Sequence, residues 1–168
     1  MKKAMLTAAA LLVAGPALAQ TILPNPSNDE ARAPRPDRAR GIPTALAIEA
    51  AETANATCRK NGNITTTIVV DSQNVPIVLV SDDGAKAITQ RIAAGKAAIA
   101  LKTKGASGAA AKGDPAAIAG LGPARPGGFP ILAGSDVVGA IAVSGSPTGQ
   151  ADEVCAKAAL ARIQDRVK

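Results

Sequence analysis

Two runs of β-branched residues, Ile64 to Asp71 and Val75 to Ser81, flank the turn-forming Ser72-Gln73-Asn74, and this alternation of apolar run and turn predicts a hairpin. A second pair of strands is predicted inside "GGFPILAGSDVVGAIAVSGS", residues 127 to 146, with Gly134-Ser135 at the turn. Helical periods surround these hairpins. "TALAIEAAETANATCRKNG" opens at Thr44, a suitable N-cap after Pro43, sets Leu46, Ala50, Thr53 and Thr57 on one side, and stops at Asn61-Gly62. In "DDGAKAITQRIAAGKAAIALKTKG" the stripe is Ile88, Ile92 and Ile99, and Gly95 marks a kink or a close-packed middle. The last helix falls in "SPTGQADEVCAKAALARIQDRVK", with Val154, Ala158 and Ala161 on the predicted face and continuation to Val167.

Residues 105 to 126 hold Gly, Ala and Pro without a period and are expected as a long functional or mobile loop. The order helix, two strands, helix, loop, two or three strands, helix predicts an α+β layered domain with an antiparallel sheet covered by helices.

Composition changes this picture mainly at the N-terminus. Residues 1 to 19 join Lys2-Lys3 to an apolar run and a small-residue Ala17-Leu18-Ala19 end, the pattern of a signal peptide cleaved before Gln20; the run is too short for a membrane span. Residues 20 to 43 carry Pro24, Pro26, Pro34, Pro36 and Pro43 among polar residues and are expected as a flexible Pro-rich arm before a domain at 44 to 168. The expected location is periplasmic or secreted. Loss of Lys2 and Lys3 leaves 17 basic against 13 acidic residues, a net charge of +4, and Arg32, Arg35, Arg38 and Arg40 of the arm account for much of it. With one Phe and no Trp or Tyr, the chain lacks the stacking platform of a nucleic-acid binder.

An exported protein meets an oxidising compartment, so Cys58 and Cys155 have pairing as their default state; two separate small buried residues are the alternative. Pairing requires the first and last helices to lie antiparallel on one face of the sheet.

Candidate chemistry is sparse. There is no His, and both methionines, Met1 and Met5, lie in the leader, so Ser-His-Asp and Cys-His devices and ordinary metal centres are excluded. What remains is Asp71 at a strand end, Asp82 and Asp83 before Gly84, Lys96 within a helix, and Asp152 at a helix start. Each has a structural explanation beside a functional one: Asp71 shapes the turn, Asp82 and Asp152 favour helix N-termini, and Lys96 snorkels to solvent.

The order of motifs resembles the GlcG/HbpS family, which includes the C-terminal domain of PduO-type proteins. The matching text is "IVVD" (Ile68 to Asp71), "DGA" (Asp83 to Ala85), "IAAGKAAIA" (Ile92 to Ala100), "PGGFPI" (Pro126 to Ile131), "VVGAIAVSG" (Val137 to Gly145) and "DEVCA" (Asp152 to Ala156), over a stretch from about Pro43 to the C-terminus. The resemblance implies a profilin-like fold, a five-stranded antiparallel sheet with helices on both faces. It also implies assembly into a homo-oligomer and haem as the cofactor.

On this basis the expected function is binding of a small molecule, haem or another aromatic or carboxylated compound. The pocket is expected near Asp71, Asp83, Lys96, Gly127, Gly128 and Phe129. The alternative is an oligomeric redox-sensing or protein-interaction module using Cys58 and Cys155; an enzyme with Lys96 as base or Schiff-base nucleophile is the weakest of the three. Two departures stand out. Haem iron is usually held by His, Met, Cys or Tyr, of which the mature chain offers only the two cysteines. "SDDGAKA" also places Ser81 and Asp82 where relatives often carry an arginine and a hydrophobic residue.

Overall fold

The computed structural model describes residues 39–168. Helix α1 (Thr44–Lys60) is followed by strands β1 (Thr66–Asp71) and β2 (Pro76–Ser81), helix α2 (Ile88–Thr103), strands β3 (Gly128–Ala133) and β4 (Asp136–Ser144), and helix α3 (Gly149–Ile163). The segment expected as a signal peptide and most of the expected arm lie outside the described residues. Residues 39–43, assigned to the arm from composition, are held at the sheet. The Arg40 carbonyl accepts from the Ser72 amide at 2.8 Å, the Arg40 amide donates to Ser72 Oγ at 3.0 Å, and Ile42 is buried in the core.

All strand pairs are antiparallel, in the order β2-β1-β4-β3. Among the described residues the sheet has four strands, not the five expected of a profilin-like fold. The segment beside Ser72 does not become a fifth, since it pairs with the turn between β1 and β2 and passes at Thr44 into α1. The long loop also adds no strand; it forms two short 3-10 turns, Ala109–Lys112 and Pro115–Ile118.

The central strands are buried on both sides, which is why their middles, Ile68 to Val70 and Val137 to Val143, carry no polar residue. Val69, Ile141 and Val143 face α1 and α3, while the alternate residues Ile68, Val70, Ala140 and Ala142 face α2 across a thin layer of alanines. Helices thus cover both faces. Helices α1 and α3 are antiparallel: the Cys58–Cys155 disulfide joins the end of one to the start of the other, with Cα atoms 5.5 Å apart, and at the opposite end Glu49 pairs with Arg162 and Arg166 at 2.8 Å. The hydrogen bond from Arg166 is the main reason the Glu49 carboxyl sits below the usual range.

The helices form where expected, but their buried faces differ from the expected stripes. In α1 the core side is Leu46, Ala47, Ala50, Ala51, Ala54, Asn55 and Cys58, with Thr53 and Thr57 at its margin. In α3 it is Asp152, Cys155, Ala156, Ala159 and Ile163, leaving Val154 exposed, and the helix gives way at Gln164 to a 3-10 turn short of Val167. Pro43, not Thr44, occupies the cap position of α1, its carbonyl accepting from the amides of Leu46 and Ala47.

The two sheet edges differ. On β3 the Gly128 carbonyl and amide are taken by the Ser107 amide and hydroxyl, Pro130 has no N–H, and Gln164 Nε2 donates to the Leu132 carbonyl. The outer edge of β2 has no strand partner among the described residues, and Leu79 and the adjoining Val75 are exposed.

Candidate functional site

Helix α2 lies on the sheet through small residues: Ala93, Ala97 and Ala100 are fully buried against Ile68, Val70, Ala140 and Ala142. The buried residues of the helix are Thr89, Ala93, Lys96, Ala97, Ile99 and Ala100, so of the expected stripe Ile99 is in the core, while Ile88 and Ile92 are turned away from the sheet. They line a cleft of about 620 Å³ between α2 and residues 120–125, together with Arg91, Leu121, Pro123 and Arg125. Gly95 makes the cleft by close approach: a Cβ there would lie 2.7 Å from the Leu121 carbonyl oxygen. The helix runs unbroken through Gly95.

The long loop is anchored at its base. Ser107, fully buried, donates from Oγ to the Arg125 carbonyl at 2.6 Å and accepts from the Gly128 amide at 2.9 Å, which places Arg125 at the cleft. Neither Arg91 nor Arg125 forms an ion pair among the described residues, and both are exposed.

Beneath the cleft lies Lys96, 3 % exposed. Its Nζ donates to Asp152 Oδ2 at 2.7 Å and to the Val143 carbonyl at 2.8 Å, while Asp152 Oδ1 accepts from the Ser146 amide at 2.9 Å. Burial lowers the Lys96 pKa from its ordinary value; Asp152 opposes that shift and the nearby Arg125 charge adds to it. Gly127, at φ 118°, closes the cradle: a Cβ there would lie 2.9 Å from Lys96 Nζ and 2.8 Å from Asp152 Cβ. Lys96, Gly127 and Gly128 are therefore brought together, with a Cβ at Gly128 only 2.6 Å from the Lys96 carbonyl oxygen.

The remaining expected residues lie elsewhere. Asp71 shapes its turn, Oδ1 accepting from the amides of Gln73 and Val75 at 2.9 Å each, and lines a separate hollow of about 590 Å³ with Gly41, Ile42, Pro43, Thr44 and Ile77. Asp83 is exposed in the turn before α2 and does not line the cleft. Phe129 packs at the α1–α3 side of the sheet, with Lys157 Nζ 5.5 Å from its ring centre. Asp82 does not cap a helix; it accepts from Arg59, Asn55 Nδ2 and the Thr65 amide, knitting α1 to the first hairpin. Sequence reasoning missed Arg91, Arg125 and Ser107 as site residues. An arginine on the polar side of a helix and another in a loop carry no local mark of convergence.

The residues at the cleft can be tested against haem. Ile88, Ile92, Leu121 and Pro123 suit an apolar ring, and Arg91 and Arg125 suit its carboxylates. No cleft side chain is a usual axial ligand, and both cysteines are fully buried in their bridge. The site thus fits the periphery of the group and not its iron. Among the described residues no three His, Cys, Asp or Glu side chains gather as a metal site, and no helix is long and apolar enough to cross a membrane.

A crystal structure of HbpS is 25% identical, with a TM-score of 0.69 over 75% of this chain and 92% of that one. A double mutant of Streptomyces reticuli HbpS is also 25% identical, with a TM-score of 0.70 over 92% of this chain and 98% of that one. A structure of a PduOC:heme complex shares the fold at 17% identity, TM-score 0.65, over 72% and 94% of the two chains. No curated protein sequence matches. The sequence model for "Haem degrading protein HbpS-like" matches residues 42–161, from the buried Ile42 to the last turn of α3, and this chain belongs to that family.

Proposed function

We propose that this protein is an exported binder of a flat apolar ligand bearing carboxylates, with haem the first candidate, and that the cleft beside α2 is the binding site. The single observation that carries this is the meeting of an apolar wall, Ile88, Ile92 and Leu121, with two arginines that have no ionic partner among the described residues. Membership of the HbpS-like family and the likeness to a heme complex support the choice of haem. Export is supported by the leader-like residues 1–19 and by the buried Cys58–Cys155 bridge, which suits an oxidising compartment. Full burial of both cysteines favours a structural bridge over a redox sensor.

Haemin titrated into the oxidised protein should give a saturable Soret shift, weakened by about tenfold or more in Arg91→Ala/Arg125→Ala. No shift in the wild type would remove the proposal. A shift only after reduction would move the site to the freed thiols.

The open β2 edge favours a second element, assembly into a homo-oligomer. Antiparallel pairing of two β2 strands would satisfy the outward N–H and C=O groups and bring the two exposed Leu79 side chains together. Sedimentation should show a dimer or larger species that Leu79→Lys converts to monomer. A wild-type monomer at all concentrations excludes it.

A further inference from the structure

A haem protein usually holds the ring from its centre, through a nitrogen, sulfur or phenolate ligand on the iron. This cleft offers no such group. The full chain has no His and no Tyr, and Met1 and Met5 stand in the leader-like segment. The cysteines are bonded to each other within the α1–α3 core cluster, whereas α2 and the cleft lie on the opposite face of the sheet. The cleft lining includes no carboxylate and no hydroxyl side chain.

Lys96 is the one amine at the site, and it is committed. Its Nζ already donates to the Val143 carbonyl and to Asp152, and Gly127 leaves no room above it even for a methyl group. A protonated amine has no lone pair to give a metal. Turning the side chain toward the cleft would also strand the Asp152 carboxylate, which is 3 % exposed.

What the cleft does offer acts on the ligand's periphery. Two guanidinium groups present forked donors that match carboxylates in pairs, and Ile88, Ile92 and Leu121 present an apolar surface with no directional demand. Both contributions depend on the edge substituents and the flat body of a ligand, and neither depends on what occupies its centre.

We infer that the site recognises tetrapyrrole dicarboxylates irrespective of a central metal, so that a metal-free porphyrin is as good a ligand as haem. The inference rests on the cleft being the binding site, as proposed above, and deepens it by naming the ligand class.

The test uses the full oxidised chain and three probes: haemin, metal-free protoporphyrin and the dimethyl ester of protoporphyrin. Absorbance follows the first and fluorescence the other two. Dissociation constants for haemin and metal-free protoporphyrin should agree within about threefold, and the ester should bind about tenfold or more weakly. Arg91→Ala and Arg125→Ala should each weaken both acids by roughly tenfold and leave the ester unchanged. Both side chains are exposed, so these variants should keep the native circular dichroism. Bound haemin should lack the low-spin spectrum of a nitrogen-ligated iron.

Haemin binding about thirtyfold or more tightly than the metal-free porphyrin, or a low-spin spectrum, overturns metal independence while leaving the cleft as a haem site. If none of the three probes binds, the proposed function fails and this inference fails with it.

Discussion

Replacing Cys58 and Cys155 together by alanine should lower the unfolding free energy by about 4 to 5 kcal/mol. The bridge spans a sequence separation of 97, and the entropy of closing a loop of that size in the unfolded chain is the main source of the effect. Geometry concentrates the loss on one unit. Helices α1 and α3 pack through Ala47, Ala50, Ala51, Ala156 and Ala159, residues that bury little surface each, so the covalent tie adds to a close contact made of small side chains. At the far end the pair is joined by Glu49 with Arg162 and Arg166, all partly solvent-exposed, an ionic contact that salt weakens. Urea unfolding with and without reductant checks the expectation. Reduction of the wild type should reproduce the loss, and the double variant should ignore reductant. Because both sulfurs are fully buried, reduction under native conditions should be slow and should follow local opening. A loss below about 1 kcal/mol would mean that α1 and α3 hold together without the bridge.

Breaking the Lys96–Asp152 pair from either side should cost about 3 to 5 kcal/mol, since each single change leaves a buried charge without its counterion. In Lys96→Met the Asp152 carboxylate keeps only the Ser146 amide; in Asp152→Ala the ammonium keeps only the Val143 carbonyl. Lys96→Met/Asp152→Ala should lose less than the sum of the singles, because neither uncompensated charge remains. Additive losses would show that the two groups do not interact.

The pH dependence follows from the Lys96 shift. Burial disfavours the charged amine in the folded state and lowers its pKa, so the unfolded chain binds the proton more tightly. Below the lowered folded pKa the amine is charged in both states and the burial penalty is fully present. Between that value and the ordinary lysine value near 10.5 the folded protein releases the proton first, and stability attributable to Lys96 rises with pH. The stability difference between wild type and Lys96→Met should therefore grow in favour of the wild type as pH climbs through that window. A difference that shrinks would contradict the assigned direction.

The order of elements was legible in the sequence because it is written locally. Thr66 to Val70 is β-branched throughout, Val137 to Val143 holds only Val, Ile, Ala and Gly, and Asp71-Ser72-Gln73-Asn74 turns the chain through the Asp71 side chain's own hydrogen bonds. Expected export made the Cys58–Cys155 bridge the default reading and set the condition it needed, α1 and α3 antiparallel on one face, which the structure meets. The motifs from Pro126 to Ala156 carried the family. The helix faces were not legible, for a definite reason. Helices rich in alanine mark their core with few large residues: Leu46, Ile99 and Ile163 are buried while Ile88, Ile92 and Val154 are not, so of the expected α2 stripe the packing uses only Ile99. Tertiary structure alone decided the site. Lys96 and Asp152 are 56 residues apart, and Arg91 and Arg125 come from a helix surface and a loop. Their meeting depends on Gly95 admitting the Leu121 carbonyl, Gly127 admitting the ammonium, and Ser107 tying the loop's base. Such contacts are set by which surfaces pack closely in three dimensions, and residue order constrains that only through the fold as a whole.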